Sequence, residues 1–149
     1  MRLRKDAKVS VLARVPLFER CSGRQLAKIA SIAREVDYPA ATPVVRQGKP
    51  GDDFFVVVEG EADVRQGARK LATLRPGSFF GEIALVTGSR RTATVTSGTP
   101  LRALVISSGE FRRLLQDSPD IQARILEEIG TRLEQLSADQ PHRRIRMRS

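Results

Sequence analysis

The stretch Phe80-Gly81-Glu82-Ile83-Ala84-Leu85-Val86-Thr87-Gly88-Ser89-Arg90-Arg91-Thr92-Ala93-Thr94-Val95 decides how this chain is read. Gly81 and Glu82 open an apolar segment long enough for about two helical turns, Gly88 breaks it, and two arginines then lead into a β-branched run. The first N–H groups of such a helix have no internal partners and sit at the positive end of its dipole. Gly81 carries no Cβ that would keep a ligand from the backbone, and Arg91 adds a forked, permanently charged donor for the same oxygens. The stretch is therefore a candidate anion site. Taken alone, it also admits a plainer reading, in which the glycines serve turns and Glu82 and Arg91 form an ion pair.

On both sides of this stretch the apolar pattern is that of strands. Pro43 to Arg46, Asp53 to Val58, Glu61 to Arg65, Lys70 to Leu74, Thr92 to Thr96 and Leu101 to Ser107 are short β-type runs. They are punctuated by Gly48-Lys49-Pro50-Gly51, Gly60, Gly67, Pro76-Gly77 and Gly98. Many short, closely spaced strands imply a sandwich, jelly roll or barrel. Phe54-Phe55-Val56-Val57-Val58 shows no alternation, so this strand is expected to be buried on both faces.

Helices flank the strands. Val9 to Phe18 reads as a helical or turn segment stopped near Pro16. Ser22 and Gln25 make a capping-box pattern ahead of Leu26, Ile29, Ala30 and Ala33, which repeat at helical spacing until Tyr38-Pro39. Ser107 and Glu110 repeat the cap before Phe111, Leu114 and Leu115. Ser118-Pro119 then starts a longer helix with Ile121, Ile125, Ile129, Leu133 and Leu136 in one stripe.

Composition limits the chemistry. A chain of 149 residues, 40% hydrophobic and 29% charged, suits one globular domain. No apolar run approaches the roughly 20 residues of a membrane helix, and the basic start lacks the apolar core of a signal peptide, so a cytoplasmic protein is expected. The single Cys21 has no disulfide partner and reads as a structural residue. The single histidine, His142, removes histidine-based triads and multi-histidine metal sites, so no catalytic residue and no metal ligand is assigned. The net charge of +9 would attract nucleic acid or an anionic surface, but the excess lies mainly in the two ends.

With these residues in view, the chain resembles the cyclic nucleotide-binding domains of catabolite activator-type regulators, cyclic-nucleotide-dependent kinases and cyclic-nucleotide-gated channels. Phe80-Gly81-Glu82-Ile83-Ala84-Leu85 and Arg91-Thr92-Ala93-Thr94-Val95 match that family's phosphate-binding cassette. The glycines of Gln47-Gly48-Lys49-Pro50-Gly51-Asp52 and Val58-Glu59-Gly60 fall where its early turns lie. The resemblance covers about residues 12–137, which divides the chain into a basic extension at 1–11, the domain at 12–137 and a basic tail at 138–149. The fold it implies is α+β: a jelly-roll-like β-roll of about eight short antiparallel strands with N-terminal helices and two C-terminal helices.

The resemblance also implies roles. Arg91 would pair with the exocyclic oxygens of a cyclic phosphate, supported by Gly81, the backbone of Ile83 and Ala84, and the Thr92 hydroxyl, while Glu82 would accept the ribose 2′-OH. A carboxylate repels phosphate, so the physical reading agrees that Glu82 faces the sugar. Val64 and Ala72 are expected to wall the base and Arg132, on the last helix, to cover it. The ligand implied is cAMP, with cGMP also compatible with Thr92; no cofactor is expected. Binding without turnover is expected, because the cassette's one carboxylate is assigned to the sugar. With about a dozen residues after Leu136, no helix-turn-helix DNA-binding domain is expected in this sequence. The expected partners are then the nucleotide, an unidentified protein effector, and a second copy through the Ile/Leu stripe. A rival reading is an interaction module whose basic tails contact nucleic acid or another protein.

Overall fold

The computed structural model describes residues 3–49, 51, 53–81, 91 and 93–139, the last helix by backbone alone at 129 and 131–139. Two antiparallel four-stranded sheets form the roll. One contains β1 (Arg34–Tyr38), β3 (Phe54–Glu59), β6 (Phe79–Phe80) and β8 (Leu101–Ile106) in the order β1-β8-β3-β6. The other contains β2 (Pro43–Val45), β4 (Ala62–Gln66), β5 (Arg69–Leu74) and β7 (Thr94–Ser97) in the order β2-β7-β4-β5. Helices α1 (Lys5–Leu12) and α2 (Gly23–Ser31), with a 3-10 turn at Pro16–Phe18 between them, precede the roll; α3 (Ser108–Asp117) and α4 (Pro119–Asp139) follow it.

The unbroken apolar run of β3 is explained by what lies on its two sides. Phe54 and Val56 join Leu104 and Ile106 of β8 in a core with the helices, where Phe18, Ile29, Phe111, Ile121 and Ile125 are buried. Val57 belongs instead to the interior of the roll, with Ala62, Val95 and Leu101. The strand is thus buried on both faces, as its lack of alternation predicts. Phe18 meets the Phe54 ring edge-on, with centroids 6.0 Å apart.

The helix starts follow their caps. Ser22 Oγ accepts from the Gln25 N–H at 3.2 Å, and Gln25 Oε1 accepts from the Ser22 N–H at 2.8 Å, completing a capping box. At α3 only half of the pattern forms: Ser107 Oγ accepts from the Glu110 N–H at 3.3 Å, but the Glu110 carboxylate takes the Ser107 hydroxyl rather than its N–H. The N-terminal boundary differs from expectation, because α1 begins inside the segment read as a basic extension at 1–11. Leu12 is fully buried, Leu3, Val9 and Val11 pack against the core, and Lys8 Nζ donates to the Ala33 carbonyl at 2.8 Å.

Two further differences are local. The helical pattern expected to run on to Tyr38 ends at Ser31, and Arg34–Tyr38 pairs with β8 from Arg34↔Val105 to Tyr38↔Leu101. Ala33 misleads the count, since it is buried from outside the helix, just after Ile32 has left helical geometry. The strand β6 is not foreseen at all, being two residues long and lying at the mouth of the glycine motif. Arg102 of β8 ties the sheet laterally, at 2.9 Å from Asp37, 3.4 Å from Glu59 and 3.5 Å from Glu35.

The N-terminal half of α4 is anchored to the body. Ile121 and Ile125 are 0–1% exposed, so the first two residues of the Ile/Leu stripe serve the chain's own core, while Leu126 is 60% exposed. Buried Glu128 accepts from Arg20 Nε at 3.3 Å, and Gln25 Nε2 donates to Asp120 at 2.9 Å, holding that carboxyl below its ordinary range. Half-buried Cys21 lies beside this contact; burial pushes its thiol pKa up, ahead of the lowering by Arg124, so it is a poor nucleophile at neutral pH. Among the described residues no helix is long and apolar enough to cross a membrane.

Candidate functional site

The site is assembled by the turn Arg46–Lys49 and by the end of the glycine motif. In that turn Lys49 N–H donates to the Arg46 carbonyl at 3.2 Å, with Gly48 in the left-handed region at φ +81°. Gly48 N–H donates to the Arg91 carbonyl at 2.8 Å and Arg91 N–H donates back to the Lys49 carbonyl at 3.1 Å. These bonds prolong the β2–β7 pairing and fix the Arg91 backbone before its side chain is considered.

The Arg91 side chain is held on two sides. Nη2 donates to the Asp53 carbonyl at 2.7 Å, and Cζ lies 5.7 Å from the centroid of the Phe55 ring. Phe55 in turn stacks on Phe80, its register partner across β3 and β6, with centroids 4.5 Å apart and rings within 9° of parallel. A guanidinium on a hydrogen-bonded carbonyl and an aromatic face is pre-organised, and its charge is not lost at any physiological pH.

Gly81, the residue after Phe80, is required twice over. Its φ is +85°, and a Cβ there would lie 2.5 Å from the Asp53 carbonyl oxygen and 2.7 Å from Arg91 Nη1. A Cβ on Gly51 would likewise lie 2.9 Å from Arg91 Nε. Bare backbone thus surrounds the guanidinium. Gly81→Ala is expected to cost about 1–3 kcal/mol of stability through the strained backbone alone and to displace Arg91 as well. Urea denaturation measures the first effect; a variant as stable as the wild type would contradict this geometry.

An open cleft of about 330 Å³ lies against Arg91. Val44, Val45 and Phe55 give it an apolar wall, while Arg46, Lys49, Asp53 and Arg91 supply its polar atoms. One fixed cation above an apolar floor can take a ligand that carries an anion beside a flat, less polar ring. Of the residues expected at the site, the structure brings Gly81 and Arg91 together. Val64 and Ala72 are opposite one another across β4 and β5; Val64 packs in the apolar cluster that includes Val45, Leu74 and Phe80, whereas Ala72 is exposed. Neither lines the cleft at Arg91. Glu82, Ile83, Ala84 and Thr92 lie outside the described residues, as does the side chain of Arg132, whose backbone belongs to α4.

Sequence reasoning passed over Asp53, Phe55 and the cleft-lining cations Arg46 and Lys49. The signal for the first two lies in the pairing of β3 with β6, which no local pattern reveals. For Arg46 and Lys49 the signal was the glycine turn itself, valued for its backbone and not for the charges on it.

Comparison with known proteins places this geometry in a family. The family model for the cyclic nucleotide-binding domain matches residues 35–118, more than half of the chain. A cyclic nucleotide-gated potassium channel of Mesorhizobium japonicum is 39% identical over 111 residues, covering 74% of this chain and 31% of the channel. A cAMP-dependent protein kinase regulatory subunit of Mycosarcoma maydis is 39% identical over 110 residues, covering 68% of this chain and 21% of the subunit. Among solved structures, the N-terminal domain of a transcriptional regulator from Streptomyces coelicolor A3(2) superposes with a TM-score of 0.80 at 28% identity, covering 86% of this chain and 95% of that domain. The chain belongs to the cyclic nucleotide-binding domain family. It spans less than a third of the length of either curated relative.

Proposed function

We propose that this chain is a sensor that binds cAMP in the cleft beside Arg91, leaves it intact, and signals occupancy through its C-terminal helix. The observation that carries the reading is the Arg91 guanidinium, fixed on the Asp53 carbonyl and the Phe55 ring and bounded by the bare backbone of Gly81. In this reading the exocyclic phosphate oxygens take the outward donors of Arg91, the N–H groups of Ile83 and Ala84, and the Thr92 hydroxyl. Glu82 accepts the ribose 2′-OH and Arg132 covers the base, and the base reaches past the residues that line the cleft at Arg91 toward Val64 and Ala72, which face one another across β4 and β5. With Glu82 turned to the sugar, the cassette presents no carboxylate as a base at phosphorus.

The choice of cAMP is supported by the cAMP-dependent kinase regulatory subunit among the relatives. A hydroxyl at Thr92 would also suit the amino group of guanine, which makes a cGMP sensor the alternative. Helix signalling is supported by the way α4 is held: Ile121, Ile125, Asp120 and Glu128 secure its beginning, and the helix continues to Asp139. Ligand closure needs only a difference in affinity between two positions of that continuation. The receiver is a protein effector or a second copy, for which exposed Leu126 offers an apolar contact.

Calorimetric titration with cAMP, cGMP and 5′-AMP tests the reading. cAMP is expected to bind at about micromolar concentration, cGMP more weakly, and 5′-AMP, whose phosphate is open and more highly charged, more weakly still. No heat with either cyclic nucleotide would refute the sensor reading, and tighter binding of cGMP would move it to the alternative.

A further inference from the structure

Arg91 is not the only cation at the cleft. Arg46 and Lys49 line it too, both are exposed, and among the described residues neither side chain has a hydrogen bond or an ion pair. Their backbone, in contrast, is tied on every side. Besides the two bonds to Arg91, Gln47 N–H donates to Thr94 Oγ1 at 2.9 Å, and Gln47 Oε1 accepts from the Gly67 N–H at 2.8 Å. The turn is thereby fastened to β7, to Arg91 and to the β4–β5 turn. Two exposed side-chain charges thus stand on a hydrogen-bonded turn at the rim of the cleft.

Charges placed in this way act on a ligand before it docks. Exposed cations gain little from static contacts, because water and salt screen them. Cations of one sign around a cleft with low-dielectric walls focus the field outward and raise the encounter rate of an anion. The walls here are Val44, Val45 and Phe55, and Asp53 is the single described carboxylate lining the cleft against three cations. We propose that Arg46 and Lys49 form a capture rim that draws the ligand's phosphate from solution toward Arg91, setting the association rate of the site and not its residence time. This rests on the sensor reading above and adds to it a kinetic division of labour: Arg91 retains the ligand and the rim collects it.

Stopped-flow binding of cAMP carrying a fluorophore on its base tests the rim, with the wild type compared to Arg46→Gln/Lys49→Gln and to Lys49→Glu. At about 10 mM salt the double variant is expected to associate about tenfold more slowly, with dissociation within about twofold of wild type. Between about 10 and 300 mM salt the wild-type association rate should fall steeply and that of the double variant only slightly, and Lys49→Glu should also associate more slowly than the wild type. Association rates and salt slopes equal to wild type would overturn the proposal. So would an effect confined to dissociation, which would make these residues ligand contacts. A wild type that binds no cyclic nucleotide would overturn the sensor reading, and the rim with it.

Discussion

Arg91→Ala is expected to weaken cyclic nucleotide binding by about 2–5 kcal/mol, by analogy with removing one partner of a buried charge pair. In calorimetry that moves a micromolar site beyond ordinary ligand concentrations. The size follows from the environment: the side chain is bracketed by the Asp53 carbonyl, Phe55 and Gly81, and removing it takes away the one cation of the cleft that is held on these partners. Arg91→Lys should recover only part of the loss, since an ammonium cannot both hold the carbonyl and present a planar fork. Undiminished binding by Arg91→Ala would mean that the ligand site lies elsewhere.

The second large effect is expected at Phe55, which serves both the fold and the site. It is 4% exposed, stacks on Phe80 and lies beneath the Arg91 guanidinium. Phe55→Ala leaves a cavity between the sheets and should cost about 3–5 kcal/mol in urea or thermal unfolding, a large share of the stability of a domain this size. Phe55→Leu separates the two roles. It keeps much of the volume and should lose less than about 1.5 kcal/mol of stability. It removes the aromatic face under Arg91, however, so nucleotide affinity should fall by more than the stability does. Equal affinity in Phe55→Leu and the wild type would show that the ring positions nothing.

Much of the fold was legible because turns and burial leave local marks. Glycine and proline separated the strands, Ser22-Gln25 marked a helix start, and the unbroken run at Phe54 announced a strand covered on both faces. The failures come from contacts between distant residues. Ala33 fits a helical stripe although its burial belongs to the turn beyond α2, and β1 becomes visible only through its pairing with β8. The roll places Arg91 against Asp53, 38 residues earlier, and no spacing rule connects them. The site divides in the same way. Gly81 and Arg91 stood out because a helix start, a bare backbone and a cation have chemical meaning in sequence; the Phe55–Phe80 platform and the rim of Arg46 and Lys49 arise from sheet register and turn placement. The basic N-terminal segment was underestimated for a related reason: its charges conceal Leu3, Val9 and Leu12, spaced to meet a core.

The most direct test of the central claim is a titration of ¹⁵N-labelled protein with cAMP, followed through backbone amide and arginine side-chain resonances. Saturable shifts are expected, largest at the Gly81 amide and the Arg91 side-chain N–H groups, with smaller ones at Phe55 and Phe80. Shifts concentrated in the basic terminal residues, with Gly81 and Arg91 unmoved, would contradict it.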